Sequence, residues 1–122
     1  MKICITSEGT TMDSRVDPRF GRCRYFIIID TDTMEFEAID NANIQASGGA
    51  GIQSGQMMAS KQVKTVLTGN VGPNAFQTLQ AAGIDILTGV SGTVREALEK
   101  FKAGAFKKTQ GPTVDAHRGM SR

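Results

Sequence analysis

The 122-residue chain has no tryptophan, one tyrosine, one histidine, two cysteines and three prolines. Each shortage excludes something. Cys4 and Cys23 are too few for a disulfide framework, and neither belongs to a C-x-x-C pair, so no ready-made four-ligand metal site is offered. The single histidine, His117, lies close to the C-terminus and leaves Ser7, Ser47 and Ser91 without a plausible general base. Scarce aromatics remove the stacking platform that a nucleic-acid binder uses, so no nucleic-acid partner is expected. No run reaches about 18 consecutive apolar residues, the length that reads as a membrane span. The opening MKICITSEG has no basic segment followed by a long apolar one. The expectation is a cytoplasmic protein without a signal peptide and without a membrane partner.

What is present describes an ordinary globular domain. Apolar residues make up 39% of the chain and charged residues 21%, enough to bury a core without staples. The net charge of +2 hides an asymmetry: residues 102–122 hold five Lys/Arg against Asp115 alone, whereas residues 1–101 hold nine against eleven Asp/Glu. The positive balance therefore belongs to the end of the chain. Residues 1–104 are predicted to form the folded domain, and 105–122 a basic, disordered tail.

Lys2–Thr6 alternates apolar and polar residues and reads as a strand. Tyr25–Ile29 is a continuous apolar run suited to a strand covered on both faces, and Met34–Ile39 alternates again after a turn at Asp30–Thr33. Ile52–Gln62 has helical spacing, Lys64–Thr68 and Ile84–Leu87 are short strands, and Pro73 opens a helix that Gly83 ends. Thr93 and Glu96 form a capping box at the start of a last helix, which runs to Gly104. The order βββαβαβα, with right-handed crossovers, predicts an α/β fold. Its sheet is ribonuclease-H-like, five-stranded and mixed, in the order 3-2-1-4-5 with strand 2 antiparallel.

That topology gathers four loops at one end of the sheet, where open α/β folds hold ligands. Helix N-termini there favour anions. Glycines line three of the loops: Gly48, Gly49 and Gly51; Gly69 and Gly72, on either side of Asn70; Gly89 and Gly92. The fourth loop brings Arg15, Arg19, Arg22 and the thiol of Cys23, and a thiolate is the usual ligand for iron–sulfur clusters. Each of these residues also has an ordinary structural reading, the glycines as turn residues and Cys23 as a small packed side chain. The loop carboxylates Glu8, Asp13 and Asp17 read as solvated.

The residues Arg19–Phe20–Gly21–Arg22–Cys23–Arg24–Tyr25–Phe26, the glycines at 48, 49 and 51, and Leu67–Thr68–Gly69–Asn70–Val71–Gly72–Pro73–Asn74–Ala75 resemble three signatures of the dinitrogenase iron–molybdenum cofactor biosynthesis family. Thr93–Leu98 resembles the start of its last helix, and the similarity covers residues 1–104. Nitrogenase-dedicated carriers tend to have a histidine just before the Phe-Gly. Here that position is Arg19, which suits the stand-alone homologues. The resemblance implies a ribonuclease-H-like domain that binds an iron–molybdenum cofactor or its precursor and passes it between donor and acceptor proteins.

Three functions compete. A carrier for an anionic iron–sulfur or iron–molybdenum-type cluster would use Cys23 as metal ligand, with Arg19, Arg22, Gly48, Gly49, Gly51, Asn70 and Gly72 around the cofactor. A monomer or weak dimer is expected. A two-metal nuclease is disfavoured, because Lys2–Thr6 and Lys64–Thr68 lack carboxylates. The alternative is a binding module for another small anion, a nucleotide or phosphometabolite, or a protein-interaction domain. Against a nucleotide, no phosphate-binding glycine motif occurs in a strand–helix context.

Overall fold

The computed structural model describes residues 1–41 and 50–114. Five strands, β1 (Lys2–Ser7), β2 (Tyr25–Asp30), β3 (Phe36–Asp40), β4 (Val63–Leu67) and β5 (Asp85–Leu87), form one sheet in the order β3-β2-β1-β4-β5. β1 and β2 pair antiparallel, as do β2 and β3, whereas β1–β4 and β4–β5 are parallel. The α/β class, the strand order and the antiparallel second strand agree with the sequence expectation.

Helices α1 (Ala50–Ser60) and α2 (Pro73–Ala81) cover one face of the sheet and α3 (Val94–Lys102) covers the other. The pleat divides the apolar run of β2 accordingly: Phe26 and Ile28 join Cys4, Met58, Val66 and Leu79 on the α1/α2 side. Ile27 and Ile29 join Ile3, Ile5, Leu67, Val94 and Leu98 on the α3 side. Two-sided cover explains why β2 has no polar alternation. β3 is an edge strand whose residues are mostly exposed, and it begins at Phe36 rather than Met34, whose φ of 66° belongs to the turn. No helix among the described residues is long and apolar enough to cross a membrane.

Candidate functional site

The connection 8–24 is not a free loop. Its first half is fastened to the start of α3, with Val94 N donating to Ser14 O (2.9 Å), Arg95 N to Met12 O (2.8 Å) and Val16 N to Gly92 O (2.8 Å). The second half is fastened to the crossing between β4 and α2: Asn70 N donates to Pro18 O (2.7 Å) and Phe20 N to Asn70 O (3.2 Å). These two bonds bracket Arg19 and bring it alongside Asn70. Gly69 lies so close to Pro18 that an added methyl would sit 2.7 Å from the Pro18 Cα. Beneath this junction Thr6 Oγ1 donates to Asp17 O (2.6 Å), and the Thr6 and Thr68 hydroxyls lie 2.8 Å apart, both buried.

The glycines do separate jobs. Gly21, at φ +91°, turns the chain against the first turn of α1, where its missing side chain would meet the Gly51 Cα at 3.1 Å. Gly51 in turn fits against Ala75 in the first turn of α2, where an added methyl would lie 3.0 Å from the Ala75 Cβ. Residues 18–22, the start of α1 and the start of α2 thus meet on one rim. Gly72 is the N-cap of α2 and supplies no side-chain acceptor, and Pro73 follows. Pro73 has no N–H, and the next amides of that first turn have no partner inside the helix. Arg19, Arg22 and Asn70 are exposed there. Gly48 and Gly49 lie outside the described residues, as does His117.

The β5–α3 loop does not join this rim as an anion site. Thr93 Oγ1 accepts from Glu96 N (3.1 Å) and Glu96 Oε1 accepts from Thr93 N (2.9 Å), so the capping box fills the N-terminus of α3 with the chain's own carboxylate. Gly92, at φ +86°, has a backbone that favours glycine, and an added Cβ would push on the Glu96 carboxylate.

Cys23 lies inside the protein. It has no exposed surface and packs with Phe20, Phe26, Cys4 and Val71. Burial pushes its thiol up to about 12, and the nearby Asp17 charge adds to this, outweighing main-chain hydrogen bonds and Arg19, which act the other way. In this conformation the Cys23 sulfur presents no surface to a metal, and ligation there would have to open the core and release the thiol proton. Cys4 is buried too, and its thiol is raised well above its ordinary value for the same reason. Among the described residues no three His, Cys, Asp or Glu side chains gather where they could hold a metal ion.

Two site residues lack the features that sequence reasoning used. Asp17, read as solvated, is 2% exposed. Its Oδ1 accepts from Arg19 N (3.1 Å) and Arg19 Nε (3.4 Å), and its Oδ2 accepts from Arg24 N (3.3 Å). The carboxylate therefore shapes the loop and leans the Arg19 guanidinium over it. The sequence does hold a faint signal, since Asp-Pro-Arg suits a turn in which the Asp side chain bonds two residues on. Asn41, buried, donates through Nδ2 to Gly21 O (3.0 Å) and Cys23 O (2.8 Å) and so fixes the far side of the same loop.

Residues 1–104 match the family described as dinitrogenase iron-molybdenum cofactor. The structure is similar to the apo form of the orange protein from Desulfovibrio gigas, 44% identical with a TM-score of 0.89, covering 92% of this chain and 95% of that one. It is also similar to a putative NifB protein from Thermotoga, 38% identical with a TM-score of 0.78 and coverages of 88% and 91%. An uncharacterised protein of Methanocaldococcus jannaschii is 28% identical over 111 residues, 88% of this chain and 91% of its own. With the match running from β1 through α3 to the turn that ends it, the chain belongs to the dinitrogenase iron-molybdenum cofactor family.

Proposed function

We propose that this protein is a non-catalytic carrier for an anionic iron–sulfur or iron–molybdenum-type cluster or its precursor. The cluster is held by charge and main-chain amides rather than by a protein thiolate. The observation that carries the reading is the locked junction of Arg19 with Asn70, beside the contacts that join Gly21, Gly51 and Ala75. Arg19 and Arg22 are both exposed in this loop, Arg19 with its Nε on the Asp17 carboxylate, and guanidinium groups suit an anion. A bare metal ion would need protein ligands, whereas a cluster that carries its bridging sulfides and non-protein terminal ligands can be held as an anion. Family membership supports the same cargo class. A carrier must also release what it holds, and charge-based retention is more reversible than a closed thiolate site.

The test is anaerobic reconstitution with ferric iron, sulfide and an excess of a small thiol that reduces part of the iron and supplies the terminal ligands, then desalting and visible absorption spectroscopy. Wild type and Cys23→Ala are expected to retain the same charge-transfer absorption. The double variant Arg19→Ala/Arg22→Ala is expected to lose at least about tenfold in retention, two charge-assisted contacts being removed. Loss in Cys23→Ala with retention in the double variant would restore the thiolate and defeat the charge-based reading. If no form retains colour while wild type binds a nucleotide or sugar phosphate, the rim is a general anion site.

A further inference from the structure

Residues 105–114 fall beyond the family match and beyond every periodic element of the sequence, yet they are fastened to the domain at two threonines. After α3 the chain turns at Gly104 (φ +75°), and Phe106 packs on the α3-side core. Thr109 N donates to Ile86 O (2.7 Å), so the segment lies along the outer edge of β5, and Lys108 pairs with Asp85 at 3.5 Å. The Thr109 hydroxyl accepts from Thr88 N (3.1 Å) and lies 2.7 Å from the Thr88 hydroxyl. Four residues on, Thr113 grips Val71 from both ends. Thr113 N donates to Val71 O (2.8 Å), and Thr113 Oγ1 accepts from Val71 N (2.8 Å). Val114 then lies over Gly72, with a methyl 3.9 Å from where a side chain there would begin.

Val71 is 1% exposed, so its N–H needs a protein acceptor, and the hydroxyl of Thr113 is that acceptor. The next residue back, Asn70, makes the two main-chain bonds that bracket Arg19. The 69–72 crossing is therefore held by the Arg19 loop, by the strap and, at Gly69 O, by Gly89 N (2.9 Å). Without the strap, Val71 N would lose the Thr113 hydroxyl and Val71 O the Thr113 N–H, and the residue next to Asn70 would be released.

Taking the rim as the cluster site proposed above, we infer that residues 105–114 are a strap belonging to that site. Thr113 acts in it as a positioning residue that fixes Arg19 through Val71 and Asn70. The strap touches the crossing and works on the cargo only through the arginine it steadies. Its requirement is chemical: position 113 must carry a hydroxyl that accepts a main-chain N–H.

The experiment uses the full chain with Thr113→Val, which keeps the shape and loses the acceptor, Thr113→Ser, which keeps the acceptor, and Thr113→Ala. Thr113 is exposed, so none of these opens the core. Amide hydrogen exchange is followed at Val71, Asn70 and Phe20, with Ile5 in the central strand as control. Thr113→Val and Thr113→Ala are expected to exchange about fivefold or more faster at all three sites and unchanged at Ile5, the fold-change set by one hydrogen bond. Thr113→Ser is expected to restore wild-type rates. Acceleration at Val71 alone would overturn the inference, and so would equal acceleration at Ile5. In the iron-and-sulfide reconstitution, Thr113→Val is expected to retain several-fold less cluster than wild type or Thr113→Ser. If wild type retains none, the carrier reading falls, whereas the exchange rates still decide whether the strap positions Arg19.

Discussion

Asp17 and the two thiols show how far a side chain's neighbours change its chemistry. Asp17 offers two acceptor oxygens to three buried or half-buried N–H groups. Asn at that position would turn one oxygen into a donor facing a donor. Asp17→Asn is expected to cost about 1–3 kcal/mol, the range for a buried group left unsatisfied, read as a lower midpoint in urea denaturation. Because the Asp17 charge also helps to raise the Cys23 thiol, the same variant should titrate Cys23 below about 12, visible as thiolate absorbance in the ultraviolet. The sign of the pH effect follows from burial. In the unfolded chain Cys23 ionises near its ordinary value of 9.0, and in the folded protein near 12. Its stabilising preference is complete below pH 9 and is lost as pH rises toward 12, at about 1.4 kcal/mol per unit. The thermal midpoint should be flat between pH 6 and 8 (about one unit below ionisation) and fall steeply above 9, less steeply in Cys23→Ala, with Cys4 supplying the remaining slope. A thiol reagent at pH 8 should label neither cysteine until denaturant is added. Rapid labelling of Cys23 in the native protein would contradict its place in the core.

At the scale of elements, Gly21 and Gly69 decide whether the 8–24 connection can dock. Gly21 combines φ +91° with a 3.1 Å approach to the Gly51 Cα, so Gly21→Ala meets both backbone strain and a backbone atom that cannot rotate away. About 1–3 kcal/mol of destabilisation is expected, measured by denaturant unfolding. Gly83→Ala, with the same sign of φ and open space around it, isolates the conformational part. The sheet was legible because its determinants are local: the unbroken apolar run of β2, Pro73 at the start of α2, and the Thr93–Glu96 box that opens α3. The convergence of loops on one rim followed from topology alone. The docking of those loops did not, since it rests on main-chain bonds between residues about fifty positions apart, such as Pro18 with Asn70, which leave no spacing in the sequence. The 105–114 strap was illegible for a related reason. It is held by two hydroxyls and an edge contact rather than by an apolar stripe, and a pattern search registers stripes. The burial of Cys23 was not legible either, because a cysteine in an arginine-rich loop looks reactive until its depth is known.

For the whole molecule, the distribution of charge is the property that separates a charge-held cargo from a coordinated one. The folded part carries slightly more acid than base, and its positive groups are placed unevenly, with Arg19 and Arg22 on the rim. A site of this kind works through a local field rather than through net charge. Exposed charges are screened over about 10 Å at 0.1 M salt and about 3 Å at 1 M, so a cluster held by guanidinium groups and amides should leave as salt rises. Retention of the reconstituted cluster is expected to drop by about an order of magnitude between those two concentrations, because exposed charge–charge attraction is largely screened across that range. The Arg19→Ala/Arg22→Ala variant should be both weaker and flatter in its salt response. A metal–thiolate bond would behave differently: it is short, covalent in part, and answers to pH and competing thiols more than to sodium chloride. Elution of colour from a desalting column at stepped salt therefore reads the mode of binding directly. A cluster that stays in place at 1 M salt in wild type (about a 3 Å screening length) and is stripped by a competing thiol would mean that a sulfur of the protein holds it. Cys23, or Cys4 behind it, would then have to leave the core to do so.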